Sequence, residues 1–87
     1  MIVHGAVQGV GFRAAVQRAA ASRGVRGWVQ NRSDGTVEAL VEGDPEAVAA
    51  VIRFCESGPP LAEVERVEVS DAVDDDDDIP SARFGVR

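Results

Sequence analysis

The sequence contains one cysteine and no apolar run close to the roughly 18–20 residues that a membrane-spanning helix needs. A single cysteine cannot form an internal disulfide, which is consistent with a reducing compartment. The first residues lack the basic region and the cleavage pattern of a secretory signal, so nothing in them indicates export. These absences predict a soluble, cytoplasmic protein with no membrane partner.

Lysine is absent as well: all 9 basic residues are arginines, against 15 acidic residues and a net charge of −6. A negative field of this kind repels nucleic acid and acidic membranes, which we therefore exclude as partners. It also repels a phosphate ester, so any site for an anion has to be built locally. Two explanations of the composition stay open: an acidic, halophile-like surface, or a GC-rich genome that replaces lysine with arginine.

The length of 87 residues leaves room for one domain, residues 1–87, and 45% hydrophobic residues are enough for its core. Alternation and helical periodicity predict the element order β-α-β-β-α-β, followed by a short closing strand. The acidic run at 74–78 predicts a solvated loop. Strands are predicted at 1–7, 25–30, 36–42, 61–70 and 84–86, and helices at 12–23 and from 45 to a stop at Gly58-Pro59-Pro60.

The second helix has the clearest start in the chain, with Asp44 as the N-cap, Pro45 at the first helical position and Glu46 complementing the helix dipole. Gly24 is expected to end the first helix. Apolar residues at helical spacing predict the buried stripe of each helix. They are Phe12, Ala15, Val16 and Ala19 in the first helix, and Val48, Val51, Ile52 and Cys55 in the second.

This order matches the ferredoxin-like α+β arrangement, in which two helices cover one face of an antiparallel sheet. There the first two strands run parallel with the third strand between them, so their C-terminal ends open onto the same edge of the sheet. The turn at residues 8–12 follows the first strand, and Asn31 follows the second. The topology therefore predicts that this turn and Asn31 are neighbours in space.

The turn has the composition of an anion cradle. Gly9 and Gly11 free the backbone of side chains just before a helix, whose N-terminus offers unpaired N–H groups and the positive end of its dipole. Arg13, in the first turn of that helix, could add a bidentate clamp. Taken alone, the same glycines could simply connect a strand to a helix, Arg13 could be a surface arginine, and Asn31 could cap a turn.

The other residues with chemical potential are predicted to be structural. Cys55 lies on the apolar stripe of the second helix, so it is predicted to be part of the core. Trp28 is predicted to pack rather than to stack on a ligand, and His4 to be an ordinary strand residue. Because no cluster of His, Cys, Asp or Glu has metal-ligand spacing, we predict no metal and no cofactor.

With these residues in view, the sequence resembles the acylphosphatase family. The stretch Gly5-Ala6-Val7-Gln8-Gly9-Val10-Gly11-Phe12-Arg13 looks like the family's first signature, G-x-V-Q-G-V-x-F-R. The segment from Gly27 to Gly43, which begins Gly27-Trp28-Val29-Gln30-Asn31, looks like the second. The resemblance continues to residue 86.

The resemblance implies an enzyme that hydrolyses a small acyl phosphate to a carboxylate and inorganic phosphate, without a metal and with inhibition by the phosphate product. It implies that Arg13 and Asn31 are the catalytic residues, Arg13 holding the phosphate and Asn31 orienting the attacking water. The phosphate-binding residues that it implies are Gln8, Gly9, Val10, Gly11, Phe12 and Arg13.

Two departures from the family pattern bear on stability rather than on the site: the first strand begins close to the motif, and the acidic run replaces a less charged region. Two other classes share the fold. One comprises acylphosphatase-like domains within larger proteins that mature hydrogenases, and the other comprises RNA-recognition modules. The first needs further domains, and the second needs aromatic residues on the central strands and a basic sheet face. We therefore expect a free-standing, monomeric enzyme.

Overall fold

The computed structural model describes residues 1–71 and 84–87. In chain order they form five strands and two helices, as the periodicities predict. No helix in this part of the chain is long and apolar enough to cross a membrane. The elements are β1 (Ile2–Ala6), α1 (Phe12–Ser22), β2 (Arg26–Asn31), β3 (Val37–Glu42), α2 (Pro45–Ser57), β4 (Glu63–Glu68) and β5 (Gly85–Val86).

The strands form a single sheet in the order β4-β1-β3-β2-β5. β3 pairs antiparallel with both β1 and β2, and β4 pairs antiparallel with β1. The predicted placement of the third strand between two parallel strands is therefore confirmed, and with it the ferredoxin-like fold. β5 pairs parallel with β2, which makes the sheet mixed rather than wholly antiparallel.

One face of the sheet packs against both helices, and the core lies between them. The inward side chains alternate along each strand, and β-branched valines dominate this face. In α1 the buried stripe includes Ala20, whereas the predicted Ala19 is only partly buried. The core cluster consists of Val3, Val7, Phe12, Val16, Ala20, Val25, Val29, Val37, Ala39, Val51, Cys55 and Phe84.

The helix ends follow the predicted local signals. The side chain of Asp44 accepts a hydrogen bond of 3.0 Å from the Glu46 N–H, and Pro45 is the first residue of α2. α1 ends at Ser22, and Gly24 follows with a left-handed φ of 70°. These ends depend on local backbone geometry, which is why the sequence predicts them well.

β4 is shorter than the predicted strand at 61–70. Leu61 and Val69 lie outside it, and their exposed fractions of 77% and 56% leave them in solvent rather than in the core. A bulge between His4 and Gly5 also shifts the register of β4 against β1. The predicted acidic loop at 74–78 lies outside the described residues.

Gly27 is the position where the β2–β3 ladder tolerates no side chain. Its φ is 135°, and a Cβ placed on it would overlap the carbonyl oxygen of Leu40 on the paired strand. Gly24 has a left-handed φ of 70°, but a Cβ there would meet nothing within 4 Å. Gly24 is therefore required only for its backbone conformation, whereas Gly27 is required both for its conformation and for lack of space.

We expect Gly27→Ala to lower the free energy of unfolding by more than about 3 kcal/mol, because strain adds to a clash within the ladder. Gly24→Ala is the control and should cost about 1–2 kcal/mol, the penalty of a left-handed alanine alone. Urea unfolding of both variants measures the difference. Equal losses would contradict the steric role of Gly27.

Candidate active site

A pocket of about 200 Å³ opens beside the start of α1, at the C-terminal end of β2. It contains both Arg13 and Asn31, together with two glycines of the turn after β1. The structure therefore places the turn and Asn31 next to each other, as the topology predicts. The lining residues are Val7, Gly9, Gly11, Phe12, Arg13, Ala14, Asn31 and Val86.

The turn at residues 8–12, which we name the phosphate loop after its predicted role, depends on two left-handed glycines. The φ angles of Gly9 and Gly11 are 74° and 76°, and a Cβ on either would meet nothing within 4 Å. Their need for glycine is therefore conformational rather than steric. Gly11 is the N-cap of α1, and its carbonyl accepts the Ala15 N–H at 3.0 Å. Left-handed residues next to a helix N-terminus are a backbone arrangement that binds anions.

Arg13 is held by the residue that follows the last strand. Its guanidinium Nη1 donates a hydrogen bond of 2.7 Å to the main-chain oxygen of Arg87. Arg87 is held in turn on β2, because its N–H donates to the Val29 carbonyl at 2.8 Å and its guanidinium lies 4.5 Å from the centre of the Trp28 ring. The bond to Arg87 uses one of the five N–H groups of Arg13. Arg87, which follows β5, therefore restricts the guanidinium of Arg13 at the pocket.

Sequence reasoning missed this contact with the C-terminal end. Alternation of Phe84 and Val86 predicts a strand, and Phe84 is indeed buried. Nothing in that alternation says that the strand pairs with β2, so neither the bond from Arg13 to Arg87 nor the place of Val86 in the pocket could be predicted. The pairing joins residues more than fifty positions apart.

Asn31 ends β2 opposite Val37 and precedes a turn at 32–36. Asp34, not Asn31, caps that turn: its Oδ1 accepts the Thr36 N–H at 3.0 Å and the Thr36 hydroxyl at 2.5 Å. These two hydrogen bonds lower the pKa of Asp34 below its usual value, and the bond from the Thr36 hydroxyl has the larger effect. Within residues 1–71 and 84–87, the exposed side chain of Asn31 makes no hydrogen bond. The alternative role of Asn31 as a turn cap is thereby disfavoured.

The other candidate residues lie away from the pocket. Cys55 is fully buried in the core, where desolvation raises the pKa of its thiol to about 12, so the group stays protonated at neutral pH. His4 pairs with Glu68 on the outer face of the sheet, and the hydrogen bond from His4 is the main cause that lowers the pKa of Glu68. Trp28 lies on the same outer face under Arg87. Among the described residues, no group of three or more His, Cys, Asp or Glu could hold a metal ion.

A family model, similar curated proteins and a solved structure all name one family. A family model described as acylphosphatase matches residues 1–85. The acylphosphatase of Thermococcus kodakarensis is 60% identical over 67 residues, which cover 77% of this chain and 74% of that protein. The acylphosphatase of Nocardioides sp. is 54% identical over 85 residues, covering 98% and 82%. The crystal structure of acylphosphatase from Bacillus subtilis superposes with a TM-score of 0.88 at 38% identity, covering 99% of this chain and 92% of that one.

The cap at Asp34 predicts a pH dependence of stability. A carboxyl whose pKa is lowered by folding stabilises the native state above its unfolded value of 3.8, and loses that effect as the pH falls through its folded value. Asp34→Asn retains an acceptor oxygen but has no charge to lose. We therefore expect the wild type to be more stable than Asp34→Asn at pH 6, and the gap to shrink at pH 3. Urea midpoints at both pH values measure the gap, and a constant gap would contradict the prediction.

Proposed function

Because the chain belongs to the acylphosphatase family, whose members hydrolyse small acyl phosphates, we propose that its pocket hydrolyses the carboxyl–phosphate bond of such a substrate. The observation that carries the proposal is that one pocket contains Arg13, Asn31 and the two left-handed glycines of the phosphate loop. The products are a carboxylate and inorganic phosphate.

The leaving group explains how so few functional groups suffice. An acyl phosphate is a mixed anhydride, and a carboxylate with a pKa of about 4 departs without a general acid. Arg13 is the one ionisable residue among those that line the pocket. Positioning and charge stabilisation are what phosphoryl transfer mainly asks of a protein, and both are within reach of this pocket.

The phosphate loop and Arg13 are proposed to hold the phosphoryl group. The backbone N–H groups of residues 8–12 are local donors, and Arg13 adds a fixed positive charge with paired donors. No acidic residue lies in the first turn of α1, so no nearby carboxylate on that turn competes for the guanidinium. This is the local anion site that a chain of net charge −6 requires.

Asn31 is proposed to orient the attacking water. Its side-chain amide can both accept from and donate to a water molecule. The water oxygen attacks phosphorus in line with the bond to the acyl oxygen, that bond breaks, and its electron pair leaves with the carboxylate. The proton of the water passes to a phosphoryl oxygen. The product phosphate is expected to inhibit by occupying the same donors, and we propose that the active unit is a monomer.

The division of labour predicts different losses for the two residues. Arg13→Ala should lose both turnover and competitive inhibition by inorganic phosphate. Asn31→Ala should lower kcat by about 10²–10³-fold while phosphate still inhibits, because the phosphate donors remain. Phosphate release from benzoyl phosphate measures both.

Matched controls use neighbouring residues outside the pocket lining. Arg18→Ala removes an exposed arginine from the same helix, and Gln30→Ala changes the residue before Asn31 on the opposite face of β2. Both should retain wild-type rates. A similar loss of phosphate affinity in Arg13→Ala and Asn31→Ala would overturn the assignment.

Metal independence follows from the leaving-group argument and is tested separately. Since neither departure of the carboxylate nor placement of the water calls for a Lewis acid, we expect EDTA to leave the rate unchanged and added Mg²⁺ not to raise it. Phosphate release with and without each reagent decides this. A rate abolished by EDTA and restored by one metal would contradict the mechanism.

A further inference from the structure

The side chain of Gln8 reaches out of the phosphate loop to a different part of the chain. Its Nε2 donates hydrogen bonds to the carbonyl oxygens of Arg32, at 2.7 Å, and Thr36, at 3.0 Å. These partners are 24 and 28 residues away in sequence. Both hydrogens of the amide nitrogen are thereby used on protein carbonyls. The Gln8 side chain is therefore committed to the fold rather than to a phosphate.

Those two carbonyls frame the turn that follows β2. The Arg32 N–H donates to the Thr36 carbonyl at 2.9 Å, and the Gly35 N–H donates to the Arg32 carbonyl at 3.2 Å. Each carbonyl thus accepts one bond from within the turn and a second from Gln8. The turn is already closed by its own backbone hydrogen bonds and by the side chain of Asp34. The hydrogen bonds from Gln8 therefore connect the turn to the phosphate loop and are not needed to close the turn itself.

Asn31 directly precedes this turn. We propose that Gln8 is a positioning residue, whose side-chain amide sets the distance between the phosphate loop and Asn31. The inference rests on the proposed function, since it gives Gln8 its effect through the residue that orients the water. The loop binds the phosphoryl group, Asn31 holds the nucleophile, and Gln8 is the hydrogen-bonded link between them.

The geometry also explains why glutamine suits this position. One nitrogen with two hydrogens matches two neighbouring carbonyl acceptors, which a glutamate carboxylate cannot do because it donates nothing. Leucine has a similar size and lacks both donors. The Gln8 side chain is exposed, so water can satisfy the released carbonyls in such variants. The substitutions therefore remove the link without burying an unsatisfied group.

The test is a double-mutant cycle of wild type, Gln8→Leu, Asn31→Ala and the double variant. Gln8→Leu should lower kcat for benzoyl phosphate by about 10–100-fold, the loss expected when a reacting group is misplaced by about 1 Å. KM and inhibition by inorganic phosphate should stay within about threefold, because the loop backbone remains. In the Asn31→Ala background, Gln8→Leu should change kcat by less than about twofold, since the residue it positions is gone.

Two further variants keep the test decisive. Gln8→Met, which is uncharged, similar in length and has no hydrogen-bond donor, replaces Gln8→Leu in the same cycle if the latter fails to fold. Gln30→Leu removes the hydrogen bond of 3.0 Å that the Gln30 side-chain amide donates to Glu38 of β3. Gln30 precedes Asn31 and lies on the outer face of the sheet, so this variant should leave kcat unchanged. Urea unfolding confirms that every variant is folded at the assay temperature.

The outcomes separate the two levels of inference. If Asn31→Ala lowers kcat and Gln8→Leu lowers it by the same factor in both backgrounds, the positioning role is overturned and the proposed function survives. Loss of phosphate inhibition in Gln8→Leu, with kcat unchanged, would also overturn it. If Asn31→Ala retains wild-type kcat, the proposed role of Asn31 fails, and the role of Gln8 fails with it.

Discussion

β3 is the element on which the site depends, because its pairing decides which strand ends lie side by side. It is antiparallel to β1 on one side and to β2 on the other, so β1 and β2 run parallel with β3 between them. In this register Val37 is opposite both Val3 and Asn31. β1 continues to Ala6 beyond that row before the phosphate loop begins. The pocket forms where the loop, α1 and the end of β2 come together.

The site carries a positive charge, whereas the chain as a whole has a net charge of −6. Arg13 is a cation in the first turn of α1, where the helix dipole is positive, and no acidic residue in that turn compensates for it. The positive charge of Arg13 at the positive end of the helix dipole destabilises the protein when no anion is bound, and the same charge attracts an anion. Burial of Phe12 next to Arg13 holds the helix start in place, and the hydrogen bond from Arg13 to the main-chain oxygen of Arg87 holds the guanidinium. A local arrangement that lowers the stability of the fold is typical of a functional site.

Elements with local determinants were predictable from the sequence, whereas elements with distant partners were less so. Asp44 and Pro45 mark the start of α2 because capping depends on neighbouring residues. β4 is shorter than its alternating pattern suggests, because the length of an edge strand depends on how far its partner continues, and β1 spans only Ile2–Ala6. The halophile-like explanation of the acidic composition stays a prediction.

By itself the sequence determined the order of elements, the ferredoxin-like class and the residues of the two signatures. Left-handed glycines, helix caps and alternating valines act through local backbone geometry, which residue types encode directly. Only the tertiary structure decided that the Gln8 side chain reaches the turn after β2, and that Arg13 contacts Arg87. These bonds join residues 24, 28 and 74 positions apart, and each ends on a main-chain oxygen. Every residue has a main-chain oxygen, so no residue type at the acceptor position could have revealed the contact.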